Sequence, residues 1–128
     1  VHERFTPEDM KNFRAKYEGV VVLAHPECPQ EVLAEADYTG STQQMIDYVE
    51  GEKPKRVVLI TECSMSDNIA AANPDMELIR PCQMCPHMKR ITLPKILTCL
   101  RDESPEVILS DDIAKRSLIP IQKMLDAS

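Results

Sequence analysis

Apolar residues recur in two rhythms along the first eighty positions. Met10, Phe13 and Tyr17 follow one another at helical spacing behind Thr6-Pro7-Glu8-Asp9. That opening suits a helix start: Thr6 caps, Pro7 fits the first turn, and the acids face the positive end of the helix. Gly19 is its natural stop. The rhythm then changes to an unbroken apolar run, Val20 to Ala24, which predicts a strand covered on both faces, as in a parallel sheet. His25-Pro26-Glu27-Cys28-Pro29 closes the run, and a short helix with Val32, Leu33 and Ala36 inward follows. Asp37 to Thr39 reads as a brief second strand. Gly40-Ser41-Thr42 turns the chain into a helix carrying Met45, Ile46 and Val49, ending near Gly51. Arg56 to Thr61 is the third strand and Met76 to Ile79 the fourth. Between them Ser64 is the expected cap of a helix running through Ile69 and Ala72 to Asn73-Pro74. This alternation predicts an α/β fold: a three-layer domain with a short parallel sheet flanked by helices and joined by right-handed crossovers.

The pattern changes after Arg80. Pro81-Cys82-Gln83-Met84-Cys85-Pro86-His87-Met88-Lys89 is a loop rich in sulfur and proline. Thr92 then caps a helix with Leu93, Ile96, Leu97 and Leu100 on one stripe, broken at Asp102 to Pro105. Ser110 is the expected cap of a last helix with Ala114, Leu118, Ile121 and Leu125 at helical spacing and an expected kink at Pro120. The expected organisation is an α/β domain over 1–91 and a C-terminal helical tail over 92–128. The apolar stripe of that tail needs a surface in this domain, in another domain or in a partner.

Composition narrows the functional classes. The 128 residues carry a formal net charge of -6, against a dedicated nucleic-acid binder with its basic face. No apolar run approaches the ~20 residues that span a bilayer. Hydrophobic content of 43% and charged content of 28% are those of an ordinary globular chain able to build a core. Five cysteines cannot all pair internally. The chain opens on Val1 with no basic stretch leading into an apolar one, so it reads as a piece of something longer, without a signal peptide.

Three places can carry chemistry. Open parallel sheets bind ligands beyond the carboxyl ends of their strands, which is where His25-Pro26-Glu27 falls. Imidazole titrates near neutrality and a desolvated glutamate can approach it, so the pair can move protons; the alternative is a strand-end histidine and a solvated glutamate. Gly40-Ser41-Thr42 opens a helix whose free N–H groups suit a phosphate or carboxylate, although an ordinary Ser or Thr cap is the commoner use. Cys82-x-x-Cys85 has the spacing of a metal loop or a dithiol. It lacks a second paired motif for zinc, and Pro86 follows where a redox dithiol would enter a helix. Cys28, Cys63 and Cys99 are expected to be structural, small buried hydrophobes by default. Met65, Met84, Met88 and Met124 are expected in core or loop packing, and His87 on an exposed loop.

Taken together, these motifs resemble quinolinate synthase. The matching residues are His25-Pro26-Glu27-Cys28-Pro29-Gln30-Glu31-Val32, Ala36-Asp37, Gly40-Ser41-Thr42 and Cys85-Pro86-His87-Met88-Lys89 with Thr92-Leu93, in one register with Val1-His2-Glu3. The resemblance covers the whole chain and corresponds to the carboxyl-terminal third of the family's chain. It implies the third of three similar α/β domains around a central active site. That site lies over a [4Fe–4S] cluster held by one cysteine from each domain, with the fourth iron open to substrate. It further implies condensation of iminoaspartate with dihydroxyacetone phosphate to quinolinate in NAD biosynthesis, a transferase-type condensation and dehydration. On this resemblance Cys85 is the metal ligand, His25 and Glu27 are catalytic, and His2, His25, Pro26, Glu27, Ser41 and Thr42 bind substrate. Cys82 matches a cysteine that only some relatives have and is not counted as a ligand.

The other two cluster cysteines and the first two domains belong to segments before Val1, so the isolated chain is expected to be inactive. The tail would need its missing docking surface, refold onto this domain, or pair with another copy as a homo-oligomer. Cluster thiolates need reducing conditions, which implies the cytoplasm, with no membrane and no nucleic acid as partner. The alternative reading is a small metal-binding module, for zinc or iron, built on the Cys82/Cys85 loop.

Overall fold

The structure is a computed structural model and describes residues 1–81 and 83–127. It forms two compact units, Val1–Arg90 and Ile91–Ser128.

In the first unit, a short 3-10 turn at His2–Arg4 leads into α1 (Pro7–Lys16), β1 (Val21–Ala24), α2 (Gln30–Leu33), β2 (Tyr38–Thr39), α3 (Thr42–Glu52), β3 (Arg56–Ile60), α4 (Cys63–Ala72) and β4 (Glu77–Ile79). The strands form one sheet in the order β2-β1-β3-β4, and every pairing is parallel. The chain steps from β1 to β2 on one side, then crosses back to β3 on the other. The strand order therefore switches direction between β1 and β3, and such a switch opens a crevice at the carboxyl edge of a sheet.

The apolar runs are continuous because both sheet faces are covered. Val22, Ala24, Val58 and Ile60 pack with Phe5, Met10 and Val32 on one side. Leu23, Val57 and Leu59 point the other way, onto Met45 and Val49 of α3 and Ile69 of α4. Consecutive strand residues thus enter opposite cores, the period-two consequence of the pleat. The three-layer α/β domain expected from the sequence is the fold observed.

Local capping follows the sequence at α1 and α3 and departs from it at α4. Thr6 and Asp9 form a reciprocal capping box at α1, and Ser41 and Gln44 form another at α3. The start of α4 differs from expectation. Its N-cap is Glu62, whose side chain accepts from the Ser64 N–H, so Ser64 lies inside the first turn and is not the cap. The longer Glu62 side chain reaches the first turn and starts the helix earlier.

The second unit contains α5 (Leu93–Asp102) and α6 (Asp111–Asp126). Thr92 caps α5, accepting from the Lys95 N–H. Ser110 stands at the N-cap of α6 without a side-chain capping bond, and the helix runs on through Pro120. No residue of either helix is buried. Cys99 is accordingly exposed and not the buried structural thiol expected. Met124 is 65% exposed, and in the loop of the first unit Met84 and Met88 are each 53% exposed, so these methionines lie outside the core. Two helices alone enclose no core. Among the described residues no helix is long and apolar enough to cross a membrane.

Candidate functional site

The switch point is built by the ends of β1 and β3. The His25 N–H donates to the Ile60 carbonyl at 3.2 Å, tying the exit of β1 to the last residue of β3. Pro26 occupies the second position of a tight turn closed by the Cys28 N–H on the His25 carbonyl at 2.9 Å, the position that proline's fixed φ suits. The turn folds Glu27 back so that its N–H donates to His25 Nδ1 at 3.3 Å.

His2 completes the cluster from the 3-10 turn before α1. Its ring stacks on His25 with centroids 4.5 Å apart and planes 10° from parallel. Nδ1 of His2 lies 2.9 Å from Glu27 Oε2, and Nε2 lies 3.1 Å from Thr61 Oγ1. Burial lowers the pKa of His2. The hydrogen bond to Glu27 raises it and the neighbouring His25 lowers it, and the net shift is downward. The net effect favours the neutral ring of His2. The network assigns its proton to Nδ1, donating to the Glu27 carboxylate, while Nε2 accepts from the Thr61 hydroxyl. Glu27 remains 72% exposed at the side chain, open to a ligand.

The donor atoms of His2, His25 and Glu27 all lie within 4.8 Å of one another. Two imidazoles and a carboxylate are ligand types that suit a divalent transition metal. Both His2 nitrogens are already engaged, however, and its ring lies face to face with that of His25. The arrangement suits proton transfer and the gripping of a polar substrate.

Ser41 and Thr42 start α3 at the same sheet edge. The Gly40 N–H donates to the Ala24 carbonyl at 3.2 Å, so the turn after β2 abuts the exit of β1. Gly40 is required there: a Cβ would lie 2.8 Å from Tyr38 Cε1 and 2.9 Å from Gln44 Cβ. Ser41 is the cap, its hydroxyl accepting from the Gln44 N–H at 3.3 Å. Thr42 is exposed on the first turn.

Cys85 sits half-buried in the loop after β4 as a free thiol. Its N–H donates to Glu62 Oε1 at 3.3 Å. Cys82 lies outside the described residues. Cys28 is a different kind of thiol: it is 5% exposed, its Sγ faces the Ile60 carbonyl at 3.5 Å, and burial pushes its pKa up. Metal ligation requires thiolate, a form that burial disfavours at Cys28. One half-buried thiolate fits a single corner of an iron–sulfur cluster, whose remaining ligands must come from elsewhere.

The sequence reading missed Thr61 and Glu62. Both follow β3 at the carboxyl edge, so the rule that selected His25 also applies to them. They join the two halves of the site, Thr61 through His2 and Glu62 through Cys85.

Fold and site together define a doubly wound α/β domain, with a histidine–carboxylate group at its switch point and a thiol loop after β4. Residues 1–126 match the model of the family described as quinolinate synthetase A protein. The chain belongs to that family. It is 56% identical over 125 residues to quinolinate synthase 2 of Mesorhizobium japonicum, covering 98% of this chain and 39% of that protein. It is 54% identical to quinolinate synthase of Agrobacterium fabrum, at 98% and 36% coverage, and 53% identical to that of Xylella fastidiosa, at 98% and 37%. The chain thus spans about two fifths of the length of these relatives.

Proposed function

We propose that this chain is the carboxyl-terminal part of a cytoplasmic iron–sulfur quinolinate synthase that condenses iminoaspartate with dihydroxyacetone phosphate to quinolinate in NAD biosynthesis. The observation that carries the reading is the His2–Glu27 hydrogen bond of 2.9 Å, at the switch point of a member of this family. Cys85 supplies one thiolate to a [4Fe–4S] cluster, which when bound offers Lewis-acid assistance to loss of a substrate oxygen. The other two thiolates come from domains that precede this region.

The chain's own residues divide the remaining work. Glu27 is the exposed carboxylate that accepts a proton from bound substrate. His2 donates its Nδ1–H to that carboxylate and keeps it oriented. His25, stacked on His2 and with Nδ1 accepting from the backbone, presents Nε2 to the substrate. Pro26 fixes the turn that brings His25 and Glu27 together. Ser41 and Thr42 open α3, where free N–H groups and the positive helix end receive a substrate carboxylate or phosphate.

One thiolate and one part of the substrate site do not make an enzyme. The isolated 128 residues are expected to form no quinolinate, and the full-length synthase is expected to form it. Turnover by the isolated chain would contradict the division of the site between domains.

A further inference from the structure

Glu62 is the residue of this edge whose chemistry is least accounted for. It is 9% exposed, and a buried carboxylate is costly unless several donors meet it. It is also an unusual helix cap, since Ser, Thr, Asp and Asn, with short side chains that return to their own helix, are preferred. A residue that breaks a local rule inside a site is where a functional constraint is expected.

The geometry accounts for the length of the side chain. Oε2 accepts from the Ser64 N–H at 2.7 Å, which is the capping bond. Oε1 turns away from the helix and accepts from the Cys85 N–H at 3.3 Å, 23 positions further along the chain. Two more bonds join the same helix start to the same loop. The Cys63 N–H donates to the Gln83 carbonyl at 3.2 Å, and Lys89 Nζ donates to Ser64 Oγ at 2.6 Å. Loop backbone before Cys85, Cys85 itself and a side chain after it are thus all tied to the first turn of α4. Of these three bonds, the one from Glu62 reaches Cys85 itself. An aspartate would still cap α4 but is one methylene short of spanning to the loop.

We propose that Glu62 is a positioning residue that clamps the Cys85 peptide to the start of α4, fixing where the Cys85 thiolate is held. The proposal rests on the reading of Cys85 as a cluster ligand, and it predicts a second consequence. A carboxylate beside a cluster ligand favours the more oxidised cluster, because net charge and hydrogen bonding around the ligands set its potential.

Glu62→Asp separates clamping from capping. In the iron-free full-length synthase, alkylation of Cys85 by iodoacetamide, followed by peptide mass spectrometry, is expected to quicken about three- to tenfold, as for local opening after loss of one ordinary hydrogen bond. Alkylation of Cys28 and the melting temperature should stay near wild type. In the iron-loaded protein, Glu62→Gln should shift the reduction potential of the cluster to more positive values. Unchanged Cys85 alkylation in folded Glu62→Asp overturns the clamp, and an unchanged potential in Glu62→Gln overturns its effect on the cluster. Cys85→Ser tests the ligand reading separately: a full iron complement in that variant removes Cys85 as a ligand, while the apoprotein alkylation still reports the clamp.

Discussion

Glu27 Oε2 and His2 Nδ1 are 2.9 Å apart although 25 positions separate them in the chain. The bond exists because the Pro26 turn folds Glu27 back over the exit of β1 while the 3-10 turn at His2–Arg4 places His2 over the same exit. The carboxylate draws the His2 pKa upward, against burial and the nearby His25, which together leave it below 6.5. Removing the carboxylate's charge removes that upward pull. Glu27→Gln is expected to lower the His2 pKa further, measured by NMR titration of the histidine ring signals. A rise would contradict the hydrogen-bond assignment.

The same shift fixes the sign of a stability effect. A histidine whose folded pKa is below its unfolded value stays neutral in the fold, so the unfolded chain binds protons first as the pH falls. The contribution of His2 is intact above pH 6.5 and is lost as the pH drops from there through the lower folded value. His2→Gln is expected to flatten the decline in unfolding free energy between neutral and mildly acid pH. An unaltered slope in urea titrations across that range would remove His2 as its source.

Thr61 holds the far side of the His2 ring through Nε2 at 3.1 Å. Thr61→Val keeps the shape and removes the hydroxyl. It should reduce turnover of the full-length synthase about three- to tenfold, the effect of one lost hydrogen bond of roughly 0.5–1.5 kcal/mol. Thr61→Ser should restore most of it. Equal turnover in Thr61→Val and wild type would exclude a role for the hydroxyl.

Gly40 is needed for close approach, since a Cβ there would meet Tyr38 and Gln44 at under 3 Å. Gly40→Ala should strain the capping box of Ser41 and Gln44 and destabilise the domain by about 0.5–2 kcal/mol, the range for loss of a cap. Thermal unfolding would show this as a lowered melting temperature. A raised one would mean that the turn can absorb the methyl group.

Much of this was legible from sequence because the physics is local. Val20 to Ala24 predicted a doubly covered strand, and the alternation of Val22 and Leu23 into opposite cores shows why no polar position interrupts it. Thr6, Ser41 and Thr92 announced their helices as caps. The turn at His25-Pro26-Glu27 marked the carboxyl edge. Non-local contacts were not legible. Nothing in the spacing says that His2 reaches Thr61 or that Glu62 reaches Cys85, because β3 meets those partners only after the sheet has assembled. Glu62 was overlooked for a physical reason as well. Capping preference favours Ser64, and the longer residue is selected only by the second donor it must reach. Cys99 lies on an apolar-striped helix, and that stripe predicted burial, yet α5 and α6 enclose no core within their own unit.

The proposed role of the exposed Glu27 carboxylate, held by His2, is acid–base chemistry in quinolinate formation. Its most direct test is the rate of quinolinate production from iminoaspartate and dihydroxyacetone phosphate by iron-loaded, full-length Glu27→Gln synthase. The account predicts cluster absorbance equal to wild type and a rate lower by about 10²- to 10⁴-fold, the usual contribution of a general acid or base. An intact cluster with an undiminished rate would contradict it.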